Sequence, residues 1–168
     1  AQDDGDAWVI NGSKAWITNA GISPVITVLL RTDRDAGTSG FSMILVEPNT
    51  PGVSIGKPEK KMGLKGSPTV MIGFDNVRVP KDALLGTPGD GFRQTMEILD
   101  GGRIGIGALS IGLAQAAYAE AIRYASQRRA FGKPIIAHQA IQWMIADATV
   151  EIESARLLVH QAAWLRAN

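Results

Sequence analysis

The sequence predicts an α+β fold: an antiparallel β barrel or sandwich, followed by two long antiparallel helices of an incomplete four-helix bundle. Three observations carry this. Residues 8–80 break into short runs rich in Val, Ile, Leu, Thr and Phe, punctuated by Gly, Pro, Asn and Asp, with no helical stretch between them. From 92 to 129 no proline occurs. From Ile141 to Ala162 apolar residues recur at steps of four and three, the spacing of one helix face. The expected boundaries are therefore 1–80 for a β domain, 81–90 for a linker, and 91–168 for a pair of long bundle helices.

Taking the elements in order, Trp8-Val9-Ile10 runs into Asn11-Gly12, a dipeptide that readily supplies positive φ, so a hairpin is expected there with 14–18 as the returning strand. Further strands are expected at 25–32, 41–47, 53–55 and 69–74, separated by turn-rich segments and a basic stretch at 57–65. Residues 81–91 connect to a first helix over about 92–129. Its weak point is five glycines at 101, 102, 105, 107 and 112, each costing about 1 kcal/mol against alanine in a helix interior. Close approach of a helix or a ligand to the glycine face would offset that cost. The helix is expected to stop at Phe131-Gly132-Lys133-Pro134. A second helix follows over about 138–166, buried along Ile141, Ile145, Ala148, Ile152, Ala155, Val159 and Ala162. Trp143, Val150, Leu157 and Trp164 recur every seven residues on another part of its surface, so one partner helix cannot cover it and self-association into a homo-oligomer is expected.

Composition narrows the function classes. The 168 residues are 45% hydrophobic and 20% charged, which is ordinary for a globular chain. With 17 basic and 16 acidic side chains there is no electrostatic footprint for nucleic acid. Zero cysteines exclude a disulfide scaffold, a thiolate metal site and a cysteine nucleophile, and fit a reducing interior. His138 and His160 lack partners at ligand spacing, so no metal site is expected. No run of about 18 apolar residues occurs, so no membrane span is expected either. Ala1-Gln2-Asp3-Asp4-Gly5-Asp6 has no signal-peptide character, and the chain reads as one entered partway through.

Three segments offer chemistry. In Lys14-Ala15-Trp16-Ile17-Thr18-Asn19-Ala20-Gly21 a strand ends with a large aromatic and a hydroxyl at its rim: Trp16 can lie against a flat ring while Thr18 donates to a heteroatom, or both can be ordinary core and strand residues. In Ser126-Gln127-Arg128-Arg129-Ala130-Phe131-Gly132-Lys133-Pro134 the guanidinium groups can meet phosphate, or simply complement a helix C-terminus. Asp100-Gly101-Gly102-Arg103 puts opposite charges at i and i+3, as a surface ion pair or as the rim of a ligand site where paired glycines let the ligand reach the backbone.

Together with Lys60-Lys61-Met62-Gly63 and Phe74-Asp75-Asn76-Val77-Arg78-Val79-Pro80, these segments make the chain resemble the acyl-CoA dehydrogenase family, most closely its short-chain, butyryl-type members. The resemblance implies a flavoprotein oxidoreductase of fatty acid metabolism, using FAD to introduce an α,β double bond into acyl-CoA thioesters. A glutamate removes the α-proton and hydride passes to flavin N5. It implies FAD contacts at Trp16 and Thr18, contacts to the FAD of a neighbouring subunit at Arg128, Phe131 and Gln139, and acyl-CoA contacts at Asp100 and Arg103. An electron-transferring flavoprotein is the implied redox partner.

The departures matter as well. The family's catalytic glutamate belongs on a helix beyond Asn168, and Gly102 stands where a minority of members carry it. No catalytic residue is therefore expected within the chain, which should be an inactive piece of such an enzyme. Ala130 replaces a hydroxyl residue that some members use near phosphate. Two alternatives stay open: a non-catalytic self-association module of the same scaffold, and a related flavin oxidase or monooxygenase.

Overall fold

The computed structural model describes residues 1–168, which divide into two units, Ala1–Glu97 and Ile98–Asn168. In the first, the short apolar runs become β1 (Gln2–Asp3), β2 (Ala7–Thr18), β3 (Ile26–Arg31), β4 (Phe41–Val46), β5 (Val53–Ile55) and β6 (Thr69–Pro80). They form two antiparallel sheets, one ordered β1-β2-β6-β5 and the other the β3-β4 pair. Alternation along each strand turns one side chain in two toward a shared core, where Ile10, Ile44, Val46, Val70, Ile72 and Val77 are almost completely buried. This is the expected α+β architecture, with its β part as two facing sheets.

The expected hairpin at Asn11-Gly12 does not form. β2 runs straight through it as a twelve-residue strand, because β6 offers an equally long partner from Ala7↔Pro80 to Thr18↔Thr69. Gly12 takes its positive φ of 141° inside the ladder instead of in a turn. The same misreading shortened β6, which was expected to end at residue 74. Its Asp75-Asn76 pair marks an irregularity, not an end: Asn76 has φ 49°, its N–H donates to Asn11 Oδ1 at 2.8 Å, and Asn11 Nδ2 donates to Asn76 Oδ1 at 3.1 Å.

The connection after β6 is laced to β4. Ser42, fully buried, shares a 2.7 Å hydrogen bond with Thr32 Oγ1 and accepts the Gly89 N–H at 3.0 Å, and the Leu85 N–H donates to the Met43 carbonyl at 2.8 Å. α1 (Gly91–Gln127) starts hard against this strand: a Cβ at Gly91 would lie 2.7 Å from the Ser42 carbonyl carbon. Gln94 Nε2 donates to the Leu85 carbonyl at 3.0 Å. These contacts tie the first turns of α1 to the β unit, consistent with the division after Glu97.

In the second unit α1 ends at Gln127, earlier than expected, and a two-residue hairpin follows: β7 (Arg129–Ala130) pairs with β8 (Lys133–Pro134). Phe131 and Gly132, at φ 49° and 80°, form the turn, the pattern of a type I′ hairpin. α2 (Gln139–Ala167) then returns antiparallel to α1. Tyr118 Oη and Thr149 Oγ1 lie 2.6 Å apart, and Arg156 Nη2 donates to Gln115 Oε1 at 2.7 Å. The expected α2 stripe, from Ile141 to Val159, is the half-buried one; Ala162 is exposed. Gly101 and Gly107 belong to the matching stripe on α1. A Cβ there would lie 2.8 Å from the Arg166 guanidinium and 3.0 Å from a Val159 methyl, so α2 accounts for these two glycines. Gly102, Gly105 and Gly112 face open space.

By length and composition α1 is apolar enough to cross a membrane, although it holds no uninterrupted run of about 18 apolar residues. Glycines and alanines between its Ile and Leu residues break the run without making the helix polar.

Candidate functional site

Strict alternation would bury Trp16, because Trp8, Ile10 and the residues opposite Phe74 and Ile72 all sit at even positions of β2. The ladder prevents it. Lys14 pairs with Ile72 and Ile17 with Val70, so three steps on β2 face two on β6 and one extra residue is accommodated as a bulge. Trp16 takes up the irregularity with φ 56°, a conformation that an aromatic residue rarely adopts, and its side chain is 75% exposed. It is therefore not the core tryptophan that alternation would make it. Thr18, at the strand's end, is also exposed, and its hydroxyl makes no hydrogen bond within the chain. The turn beyond is fixed by the Asn19 N–H donating to the Pro68 carbonyl at 2.8 Å, and by the Asn19 carbonyl accepting the Ile22 and Ser23 N–H groups.

A second group gathers at the β7-β8 hairpin. Arg129 Nη2 donates to the Gly132 carbonyl at 2.8 Å and Lys133 Nζ to the Ala137 carbonyl at 2.9 Å, so these two cations serve the hairpin itself. Arg128 is different: its backbone closes the helix end, through its N–H to the Tyr124 carbonyl and its carbonyl to the Ile135 N–H, while its exposed side chain has no partner in the chain. Phe131 is 96% exposed at the turn. Gln139, the first residue of α2, is exposed with no side-chain hydrogen bond.

The third group is Asp100 with Arg103, 3.5 Å apart at i and i+3 on α1, both largely exposed. The pair stands beside Gly101, whose open flank is taken by Arg166, and Gly102, which meets nothing. The closest approach to the glycine pair is thus by α2, and only Gly102 is left for a ligand.

The seven residues share a character. Each is presented outward: Trp16 and Phe131 are held off the core, Thr18, Arg128 and Gln139 have no side-chain partner, and Asp100 and Arg103 have only each other. A flat conjugated ring with edge heteroatoms fits Trp16 and Thr18, and a phosphate or amide-bearing ligand fits Arg128 and Gln139. A polar cleft of about 770 Å³ on the first unit, lined by Asn11, Ser13, Lys14, Arg31, Thr32 and Arg34, includes none of them. Two of its cations are occupied, Lys14 Nζ by the Leu29 carbonyl at 2.8 Å and Arg31 Nη1 by the Arg34 carbonyl at 3.3 Å.

Comparison with known protein families decides the assignment: residues 1–77 match the acyl-CoA dehydrogenase middle domain and residues 89–168 the acyl-CoA dehydrogenase C-terminal domain. The chain belongs to the acyl-CoA dehydrogenase family. It is 48% identical over its whole length to the mitochondrial short-chain specific acyl-CoA dehydrogenase of Bos taurus. The butyryl-CoA dehydrogenase structure from Megasphaera elsdenii superposes with a TM-score of 0.94 at 42% identity, over 98% of this chain and 43% of that one. A structure described as an FAD-dependent dehydrogenase also gives 0.94, at 36% identity, over 98% of this chain and 44% of that one. The chain spans 41% of the length of the bovine relative.

Within this acyl-CoA dehydrogenase family chain, sequence reasoning passed over two features that shape the candidate groups. One is the Asn11–Asn76 amide pair, signalled only by two asparagines 65 positions apart. The other is His138, weighed above only as a metal ligand. Its Nε2 lies 3.1 Å from the Ala130 carbonyl oxygen and its ring meets Phe131 edge-on, with centroids 6.0 Å apart. No group of three or more His, Asp or Glu side chains is placed to hold a metal ion.

Proposed function

We propose that the chain supplies flavin and acyl-CoA contacts to an FAD-dependent dehydrogenase of short acyl-CoA thioesters. The observation that carries this is Trp16, expelled from the core by a bulge at φ 56° and exposed beside the unpartnered hydroxyl of Thr18. A tryptophan held off the core gives a flat ring a rigid wall, and Thr18 two residues on would donate to a ring heteroatom. Arg128, Phe131 and Gln139 would hold the FAD of a neighbouring subunit, the guanidinium toward phosphate oxygens. Asp100 and Arg103 would hold the acyl-CoA. When bound, FAD supplies the acceptor for the hydride that leaves the β-carbon. With Gly102 at the position some members give to glutamate, the base for the α-proton is assigned to a glutamate outside these residues. The chain's own task is orientation and the exclusion of water.

The redox partner on this reading is an electron-transferring flavoprotein, and the compartment a reducing one, cytoplasm or mitochondrial matrix. The test is turnover by the full-length gene product loaded with FAD, using butyryl-, octanoyl- and palmitoyl-CoA with an artificial electron acceptor and, separately, with oxygen. Acceptor-dependent oxidation favouring butyryl-CoA supports the reading; rapid oxygen consumption would move it to an oxidase, and no oxidation of any thioester would end it.

A second reading, compatible with the first, is self-association. An apolar groove of about 570 Å³ lies along the helix pair, lined by Ala117, Ala121, Ile141, Met144, Ile145 and Ile152 among others. Trp143, Val150, Leu157 and Trp164 are each more than 60% exposed. Sedimentation velocity across a hundredfold concentration range tests this, and a monomer throughout would count against it.

A further inference from the structure

We propose that His138 is a positioning residue for the flavin contacts of the second unit, an inference that rests on the flavin reading above. His138 sits between the β7-β8 hairpin and α2 and is half-buried. It holds three things at once. A carbonyl can only accept, so the 3.1 Å contact with the Ala130 oxygen makes Nε2 the protonated nitrogen and the donor. The ring edge packs against Phe131 at 86° between planes. The backbone closes the local structure, the N–H to the Ile135 carbonyl at 3.1 Å and the carbonyl from the Ile141 and Gln142 N–H groups at 3.0 and 3.1 Å.

This matters because of what Phe131 lacks. At 96% exposure and φ 49°, it has no core to fix its orientation, and His138 is its one aromatic contact. An edge-to-face pair holds a ring in a defined orientation. The imidazole thus anchors the strand that precedes the turn and the aromatic within it, and the next residue along the chain is Gln139, the first of α2. Phenylalanine in its place would keep the ring alone, and glutamine the donor alone.

The experiment measures FAD dissociation constants by flavin fluorescence for the full-length gene product, wild type and the variants H138A, F131A and H138A/F131A, with the visible absorption and circular dichroism of the bound flavin. H138A is expected to weaken FAD binding about tenfold and to alter the dichroism of the bound flavin, with far-ultraviolet dichroism unchanged. The double variant is expected to bind no more weakly than F131A alone, since His138 acts through Phe131. H138F is expected to recover part of the loss. Binding by H138A within twofold of wild type, or penalties that add fully in the double variant, would overturn the proposal. Should H138A fail to fold, H138F and H138Q carry the test, and both binding within twofold overturns it equally. A wild type that binds no FAD, or F131A and R128A that bind as well as wild type, would instead bring down the flavin reading and this inference with it. Tight dependence on Phe131 with indifference to His138 removes the inference alone.

Discussion

Trp16 occupies a backbone conformation that costs a bulky residue on the order of 1–3 kcal/mol, while its side chain gains little burial in return. Trp16→Gly should therefore leave thermal stability close to unchanged, because glycine adopts positive φ without strain, yet weaken FAD binding at least tenfold on the flavin reading. A large fall in Tm would mean that the tryptophan is a packing residue after all. Asn11 makes the opposite case. Its amide caps the Asn76 N–H in the irregular stretch of β6, so Asn11→Ala should destabilise by about 1–2 kcal/mol in urea unfolding, with FAD affinity retained. At this scale the sequence disclosed residue types better than their settings. The Trp-Ile-Thr-Asn run pointed to a ring and a hydroxyl at a strand's rim, but a bulge depends on where the partner strand puts its own extra residue, and that is not written locally. His138 was missed for the same reason, since its two partners at Ala130 and Phe131 become neighbours only once the chain has turned at Gly132.

Helices were the most legible elements, because an apolar period of 3.6 and the absence of proline act within a single segment. The α2 stripe from Ile141 to Val159 came out as the half-buried face. Asn11-Gly12 went wrong because a dipeptide that suits a hairpin turn equally suits a ladder irregularity when a long partner strand is available, and the partner lay more than fifty residues away. The helical glycines divide in a way that can be tested. Gly101 and Gly107 face α2, but Gly102 meets nothing within reach of a Cβ. Gly102→Ala should thus stabilise the second unit by about 0.4–1 kcal/mol through helix propensity. If the glycine is kept for a ligand, the same variant should bind butyryl-CoA more weakly, as isothermal titration would register. Stabilisation with unchanged butyryl-CoA affinity would remove Gly102 from the substrate site.

For the molecule as a whole, acid is the shared vulnerability. The Lys81 ammonium holds the Asp3 carboxyl below its ordinary value, Arg93 does the same for Asp90, and Arg123 for Glu120. Groups with lowered folded-state values contribute stability that is complete above the unfolded pKa and disappears as pH falls through the folded one. Both units should therefore keep their Tm down to about pH 5 and lose it progressively below about pH 4, by modest amounts because all three pairs are at the surface. A Tm that held steady to pH 2.5 would show that these pairs contribute nothing. The architecture was legible at this scale because two different periods occupy two different stretches of chain. The fit of the strands was not, and it carries its own consequence. β2 and β6 each contain one surplus residue, at Trp16 and at Asp75-Asn76, and the pairing that is offset between them returns to step at Thr18↔Thr69. The two surpluses cancel like a matched insertion in each column of an alignment. Deleting either surplus residue alone would leave its flanking pairs, Ile10↔Val77 with Gly12↔Phe74 or Lys14↔Ile72 with Ile17↔Val70, in regular alternation, so a relative can lose one bulge and keep the other without turning a single core side chain outward.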